Sequence, residues 1–324
     1  MAYVAGDTIT GDQYNIFVNN SSSPFGYNHF AGTGSGVYGL GQTHIATVSG
    51  GSTTITASQF NTLLTAIDNI ANHTNDTMTA RTAVTAGDTI TIKSNLETDL
   101  ATLAASVAAG SPNATALDTS SAKRTSSASG AYTTSHVVEH SFTFSSADVM
   151  RHFFNAGGKI RMLGDRTGNG NTDGSANAKD TGYTTLLAAV GNFDIGATSC
   201  TRSGSGETLE TDGLSNGFHD LGTGYTTLIV LADATSPYTD NDIKIEAKLN
   251  AAVGTAVTMT VKFSILDGSA DNTFDSGNLS SVDQTPDRVG VTRVRSFVLS
   301  PNDEQGLGAD ITEDSTAEVS NTTS

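Results

Sequence analysis

The sequence has very little of several residue types on which whole protein classes depend. Its 324 residues include no tryptophan, one cysteine and only 16 lysines and arginines, against 33 aspartates and glutamates. One cysteine excludes an intrachain disulfide and any cysteine-rich zinc site. A formal net charge of −17 excludes the basic surface with which proteins bind nucleic-acid phosphates.

Long apolar runs are also missing. None approaches the ~18 residues that a membrane-spanning helix needs. The opening residues, MAYVAGDTIT, have neither the basic nor the apolar region of a secretory signal. We therefore expect no membrane insertion and no Sec-dependent export.

The residues that are abundant favour strands and turns. Thr, Ser, Asn, Asp and Gly make up most of the polar content, and their side chains compete with the hydrogen bonds of helix interiors. Composition divides the chain into N-terminal modules at 1–110, a Ser/Thr-rich linker at 111–130, a β domain at 131–300 and an acidic tail at 301–324. We expect that tail to be mobile in an isolated chain, because it has little apolar surface to bury.

A pattern recurs three times in the first third of the chain. Each copy has a glycine turn, a short Thr-Ile-Thr strand, a polar residue able to cap, and an amphipathic helix. The copies begin at Gly6, Gly51 and Gly87. Their apolar stripes are Tyr14, Phe17 and Val18; then Phe60, Leu63, Leu64, Ile67 and Ile70; then Leu96, Leu100, Leu103 and Val107.

These stripes need a cover, because one short strand and one helix are too small to fold alone. Sister chains or neighbouring proteins would cover them in an oligomer. The alternative is one ordinary α+β subdomain in which the stripes pack on one another. We expect the first arrangement, a homo-oligomer with a trimer favoured.

The later part of the chain alternates with the period of β-strands. Six candidate strands separated by turn residues predict a mainly β fold, an antiparallel β-sandwich or jelly roll. They are 133–144, Lys159–Leu163, Tyr225–Leu231, Ile243–Leu249, Ala256–Leu266 and Thr292–Leu299. A helix is predicted within 145–158, capped by Ser145 or Ser146. The hexapeptide Thr-Gly-Tyr-Thr-Thr-Leu at 181–186 and 223–228 indicates two equivalent strand entries, unless the duplication arose by chance.

Two motifs match the sequence patterns of known metal sites. His136-Val137-Val138-Glu139-His140 matches the H-x-x-E-H pattern, which needs both histidines on one helical turn. In a strand they would stand ~13 Å apart, so we expect surface or interface residues instead. Residues 169–180 have the twelve-residue spacing of a calcium loop, but Asn169 and Asp180 replace the usual terminal ligands. The sequence therefore predicts a hairpin loop, with calcium binding as a weak alternative, and no cofactor, metal site or catalytic residue.

The remaining reactive or charged residues have ordinary interpretations. Cys200 is interpreted as a satisfied or half-exposed thiol. Arg288, Arg293 and Arg295 lie near the last predicted strand. We expect them to pair with acidic neighbours, such as the tail of a sister chain.

Taken together, the repeated units, the 25–43 stretch and the 144–161 stretch resemble virion structural proteins of tailed bacteriophages, of the kind that marine T4-like cyanophages carry. The resemblance covers most of residues 1–300 and transfers no functional residue. It implies a component of the particle exterior, such as a fibre, a neck or tail appendage or a capsid decoration, assembled as a symmetric oligomer.

Three functions are therefore compared. The first is a non-enzymatic virion component that binds sister chains and other virion proteins. The second is a host-surface or glycan-binding adhesin, in one form stabilised by calcium. The third is a fibre-borne depolymerase, which no spacing of carboxylates favours.

Overall fold

The computed structural model describes residues 9–22, 25–31, 44–51, 53–74, 76–88, 93–108, 117–119, 121–171, 176–235, 238–269, 288–301 and 312–324. The chain divides into two compact units. The first comprises Met1–Asp118, Ser146–Gly158 and Ser300–Thr312, and the second comprises Thr119–Ser145, Lys159–Leu299 and Glu313–Ser324. The helix predicted within 145–158 thus belongs to the first unit and not to the β domain.

The first unit is helical. Its helices are α1 (Gly11–Asn19), α2 (Tyr27–Ala31), α3 (Ala57–Thr74), α4 (Lys93–Ala108) and α5 (Ala147–Asn155). Ser146 caps α5 by accepting a hydrogen bond from the Val149 amide at 3.2 Å, as predicted.

The repeated units begin their helices in the same way. The Gln13 side chain accepts from the Thr10 amide at 2.8 Å, and Gln59 accepts from the Thr56 amide at 3.0 Å. Threonine followed by glutamine three residues later is the capping-box pattern. The predicted Thr-Ile-Thr strands are wrong for the first two copies, which share one isolated bridge, Thr10 to Thr54. Residues 89–92 of the third copy lie outside the described residues.

The apolar stripes of the three helices pack into a single core. Val18, Leu63, Ile67, Ile70 and Leu103 are all 0% exposed within the chain, and Tyr14, Phe17 and Tyr27 join the same cluster. The expectation that sister chains cover these stripes is therefore wrong. The stripes pack on one another as in the subdomain alternative, although that subdomain is helical in its described residues and not α+β. The side chain of Val107 lies outside the described part of the chain.

Asparagine side chains attach extended segments to this core. The Asn15 amide group donates to the Val48 carbonyl at 2.8 Å and accepts from the Val48 amide at 2.9 Å. Asn61 holds Val84 with the same two bonds, each 2.9 Å. In both repeats a turn with a positive-φ glycine follows the held valine, Gly51 (+74°) and Gly87 (+98°). The helix of one repeat thus holds the segment that leads into the next repeat.

The second unit is an antiparallel β-sandwich. The described strands are β1 (Leu117–Thr119), β2 (Arg124–Ser127), β3 (Ser135–Thr143), β4 (Lys159–Arg166), β5 (Phe193–Ile195), β6 (Cys200–Arg202), β7 (Thr208–Asp212), β8 (Thr226–Ala232), β9 (Asp242–Leu249), β10 (Thr258–Leu266), β11 (Thr292–Pro301) and β12 (Ser315–Thr323). One sheet has the order β1-β11-β4-β5-β6 with β2 also paired to β11, and the other has the order β12-β3-β10-β9-β8-β7. All six predicted strands are present.

Two predictions about connecting segments are corrected. Residues 124–127 of the predicted linker form β2, in which Ser126 is buried. Residues 315–323 of the predicted mobile tail form β12, which pairs with β3 along its whole length. The preceding residues 302–311 lie outside the described residues.

The duplicated hexapeptide adopts two different structures. Residues 223–228 lead into β8, whereas residues 181–186 lie inside α6 (Ala178–Val190), a helix that the sequence did not predict. Asn177 and Asp180 cap that helix through reciprocal bonds, 2.8 Å and 3.1 Å long. The prediction of two equivalent strand entries is therefore wrong.

Candidate functional site

Two buried histidines of the second unit lie in chains of hydrogen-bonded side chains. His136 and His140 lie on β3 and are both 0% exposed. They share one face of the strand, because side chains four residues apart in a strand point the same way. That face is turned toward β11 of the opposite sheet, where Thr292 and Ser296 have the same four-residue spacing.

His140 lies at the centre of a chain of four side chains. Its Nδ1 is 2.9 Å from Ser296 Oγ, its Nε2 is 2.8 Å from Ser126 Oγ, and Ser126 Oγ donates to the carboxylate of Glu318. A serine hydroxyl has one hydrogen. Because that hydrogen goes to Glu318, the His140 Nε2–H donates to Ser126, and Nδ1 accepts from Ser296.

His136 has an equivalent chain with the same proton order. Asn321 Nδ2 donates to the Ser127 carbonyl at 3.0 Å, which leaves Asn321 Oδ1 to accept from His136 Nε2 at 3.0 Å. His136 Nδ1 then accepts from Thr292 Oγ1 at 2.6 Å. Tyr132 lies 3.2 Å from the same threonine oxygen and completes the chain.

Burial keeps both imidazoles neutral. Desolvation lowers the pKa of His140 to about 4, against a smaller opposite effect of Glu318. Desolvation also lowers the pKa of His136, and the Asn321 hydrogen bond and Glu318 act in the opposite direction. A neutral imidazole has one donor and one acceptor nitrogen, and both are used in each histidine.

This geometry differs from that of an activated serine. A general base must accept the serine proton, but His140 donates to Ser126 while Ser126 donates to Glu318. Ser126 is also only 2% exposed. The site therefore ties the two sheets together, and it does not present a nucleophile.

The predictions for the H-x-x-E-H motif are partly confirmed. The motif lies in an extended strand, as predicted, so the histidines cannot share a metal in the manner of a helical motif. The expectation of surface residues is wrong for both histidines, which are buried, whereas Val137 and Glu139 lie on the outer face, with Glu139 opposite Lys262. Among the described residues, no group of three or more His, Cys, Asp and Glu side chains could hold a metal ion.

Asp180, the last residue of the proposed calcium loop, is fully buried and surrounded by donors. Its Oδ1 accepts from the Gly290 amide at 2.8 Å and lies 2.6 Å from Arg166 Nη1. Its Oδ2 accepts from the amides of Gly170 at 2.8 Å and Asn177 at 3.1 Å. Four N–H groups thus occupy the carboxylate that would close a calcium site. Residues 172–175 of the loop lie outside the described residues.

A second buried carboxylate belongs to an ion pair. Lys179 Nζ lies 2.9 Å from Asp267 Oδ2, and both side chains are 0% exposed. The same ammonium donates to the Ser269 carbonyl at 3.3 Å. This pair fastens the first turn of α6 to the segment that follows β10.

The predicted arginine face is present, but its acidic partner is in the same chain. Asp165 on β4 accepts two bonds from Arg293, 2.9 Å and 2.8 Å long, and one from Arg295 at 2.7 Å. Arg293 and Arg295 therefore have an acidic partner without the tail of a sister chain. Arg288 is exposed, and its carbonyl accepts from Asn177.

Cys200 is a buried free thiol. Its Sγ donates to the Asn216 carbonyl at 3.1 Å. Burial raises the pKa of Cys200 to about 12, with smaller contributions from Asp194 and Asp220. Because the thiolate is the nucleophilic form, this cysteine is inert.

The first unit contains a groove that the sequence did not reveal. Its volume is about 930 Å³, and it lies between the extended residues His44–Ala46 and one side of α3. That side is polar and repeats with helical spacing through Ser58, Asn61, Thr62, Thr65 and Asn69. The helical spacing of these polar residues is visible in the sequence, but it does not show that an extended segment faces them.

No protein family, curated protein or solved structure matches the chain. Among the described helices, none combines the length and apolar character needed to cross a bilayer. The functional interpretation therefore depends on the contacts described above and on the resemblance noted from the sequence.

Proposed function

We propose that the protein is a non-enzymatic structural component of the exterior of a tailed-phage particle. One observation supports this most: the reactive side chains of the second unit are used as internal ties. His136 and His140 join the two sheets, Asp180 holds two loops, and Lys179 pairs with Asp267. Such ties suit a protein whose task is to keep its shape.

The assembly state is part of the same proposal. The resemblance to virion structural proteins implies a symmetric homo-oligomer, with a trimer favoured, in contact with other virion proteins. Because the apolar stripes of the first unit are buried within the chain, they no longer argue for an oligomer. The interface must therefore use other surfaces. A net charge of −17 keeps such a protein soluble at high local concentration.

The adhesin alternative has less support. A calcium-stabilised form would need Asp180 as a ligand, but four N–H groups already satisfy that carboxylate. A calcium ion would have to displace Arg166 or the backbone donors. Host-surface or glycan binding without calcium is tested by the same experiment as the main proposal.

Particle labelling tests the proposal. Antibodies against the purified chain would be applied, with gold detection, to particles purified from lysates of phages that encode it. We expect label at one repeated position on the exterior of intact particles and the chain in their protein inventory. Absence of the chain from purified particles would contradict the proposal. Labelled particles whose adsorption to host cells is blocked by the antibody would favour the adhesin.

A further inference from the structure

The last strand of the sandwich is held almost entirely by polar contacts. None of the nine residues of β12 is buried, and Val319 is 54% exposed. The strand lies at the end of its sheet and pairs only with β3. Because apolar burial supplies most of the free energy that holds secondary elements together, β12 is weakly attached compared with β9 and β10.

The polar contacts of β12 converge on the two histidines. Asn321 accepts from His136, and Glu318 accepts from the serine that His140 contacts. In the ladder, Glu318 lies opposite His140, and Thr323 lies opposite His136. Since β12 separates β3 from solvent at this edge, its departure would give both imidazoles access to water.

We propose that β12 is an acid-released latch, which the two histidines hold shut in neutral solution and open in mildly acidic solution. The inference does not depend on the proposed function. When β12 is paired, both imidazoles are 0% exposed, so a proton on either one is poorly solvated. When β12 is released, the proton is solvated, so acid favours the released state.

The charged and titratable groups around the histidines are few. Glu318 on β12 favours the protonated form of both, and Arg124 on β2 disfavours it for His140. Tyr132, whose ring centroid is 5.9 Å from that of His136, stays a neutral phenol because burial raises its pKa. On β11 the histidines meet only the hydroxyls of Thr292 and Ser296. Desolvation outweighs the attraction of Glu318, since the net effect lowers both pKa values.

The size of the effect follows from linkage. His140 has a pKa of about 4 in the paired state and is expected near 6.5 once solvated. Lowering the pH from 7.5 to 5.0 should therefore favour release about 30-fold through His140 alone. His136 acts in the same direction.

Hydrogen exchange of the full chain tests this inference. Exchange would be measured by mass spectrometry at pH 7.5 and 5.0, with times scaled for the intrinsic pH dependence of amide exchange. We expect the protection of residues 315–323 to fall about 30-fold or more at pH 5.0, while β9 and β10 keep theirs. The double variant His136→Gln/His140→Gln should lose this difference, and His44→Gln, an exposed histidine of the first unit, should keep it.

The following results would contradict the inference. Unchanged protection of β12 at pH 5.0, or an equal loss in β9 and β10, would overturn the latch. So would a folded double variant that still releases β12 in acid. If the double variant does not fold, the comparison of β12 with β9 and β10 in the natural chain decides by itself.

Discussion

At the scale of single residues, the two histidines that tie the sheets together, His136 and His140, were expected from the sequence to lie at a surface or an interface. The sequence did indicate that His136 and His140 are buried. Both lie an even number of residues from Phe142 and Phe144, and residues so spaced face the same side of a strand. The sequence did not indicate their partners. Thr292 and Ser296 lie on a strand 156 residues away from the histidines, and Ser126, only 14 residues from His140, lies in a segment predicted to be a linker. Parity predicts which side a residue faces, but not what it meets there.

Replacement of Asp180 tests whether a buried carboxylate also serves as an internal tie. Asp180→Asn removes the charge that pairs with Arg166 and weakens the bonds from the Gly170 and Gly290 amides. Removing one member of a buried pair costs about 3–5 kcal/mol, and we expect a loss of that size in the free energy of unfolding, measured in urea at pH 7. The exposed Asp240→Asn should change it by less than ~0.5 kcal/mol. Equal effects of the two would contradict the assigned role of Asp180.

At the scale of elements, local signals predicted six of the twelve described strands and did not predict α6. The alternation in β9 and β10 is strong because one face of each strand is buried. For α6, Thr and Gly disfavour helix, and tertiary contacts decide: Lys179 pairs with Asp267, and the Tyr183 hydroxyl donates to the Leu266 carbonyl. Both partners lie more than eighty residues away, so a local pattern could not reveal them.

The duplicated hexapeptide offers a matched pair of glycine substitutions. A Cβ at Gly182 would lie 2.4 Å from Oδ2 of the buried Asp233, whereas nothing lies within 4 Å of one at Gly224. We expect Gly182→Ala to destabilise the protein by about 1–3 kcal/mol, despite the better helix propensity of alanine. Gly224→Ala should change stability by less than ~0.5 kcal/mol. Thermal unfolding of both variants measures this, and a stabilised Gly182→Ala would contradict the packing of α6.

The side-chain bonds by which asparagines hold extended segments in the first unit can be tested with two variants of α3. Asn61→Ala leaves the Val84 amide and carbonyl without their partners, and an unsatisfied buried polar group costs about 1–3 kcal/mol. Asn69 lies on the same helix but is exposed, so Asn69→Ala should have little effect. The comparison of their urea midpoints measures the tie. A loss no larger for Asn61→Ala than for Asn69→Ala would show that the extended segment is held by other contacts.

At the scale of the whole molecule, the first unit buries its own apolar stripes, and the second unit interrupts the edges of one of its sheets. The stripes of the first unit are buried in one core. In the six-stranded sheet that ends in β7 and β12, both edge strands contain a bulge, between Leu209 and Thr211 and between Glu318 and Ser320. Bulges disturb the ladder that another chain would extend. The stripes showed how much surface needed covering, but the sequence could not show whether one chain sufficed.

The buried histidines predict how the stability of the molecule depends on pH. Between pH 6.5 and about 4 the unfolded chain binds a proton at His140 that the folded chain does not. Through His140 alone, the free energy of unfolding should therefore fall by up to ~1.4 kcal/mol per pH unit below pH 6.5. His152, whose pKa burial also lowers to about 4, and His136, whose pKa burial lowers, act in the same direction. Asp242 acts in the opposite direction, because desolvation raises its pKa to about 6. Urea unfolding at pH 7.5, 6.0 and 5.0 measures the net slope, which should be smaller in His140→Gln, and an equal slope would contradict this assignment.

The most direct test of the account is the protonation state of His136 and His140, since the claim that these groups are internal ties depends on it. Nitrogen-15 NMR of the intact chain reports the tautomer and the pKa of each imidazole. We predict that both carry their proton on Nε2 at pH 7 and that both titrate below 6.5, His140 at about 4. A proton on Nδ1, or a titration at or above 6.5 for either residue, would contradict the account.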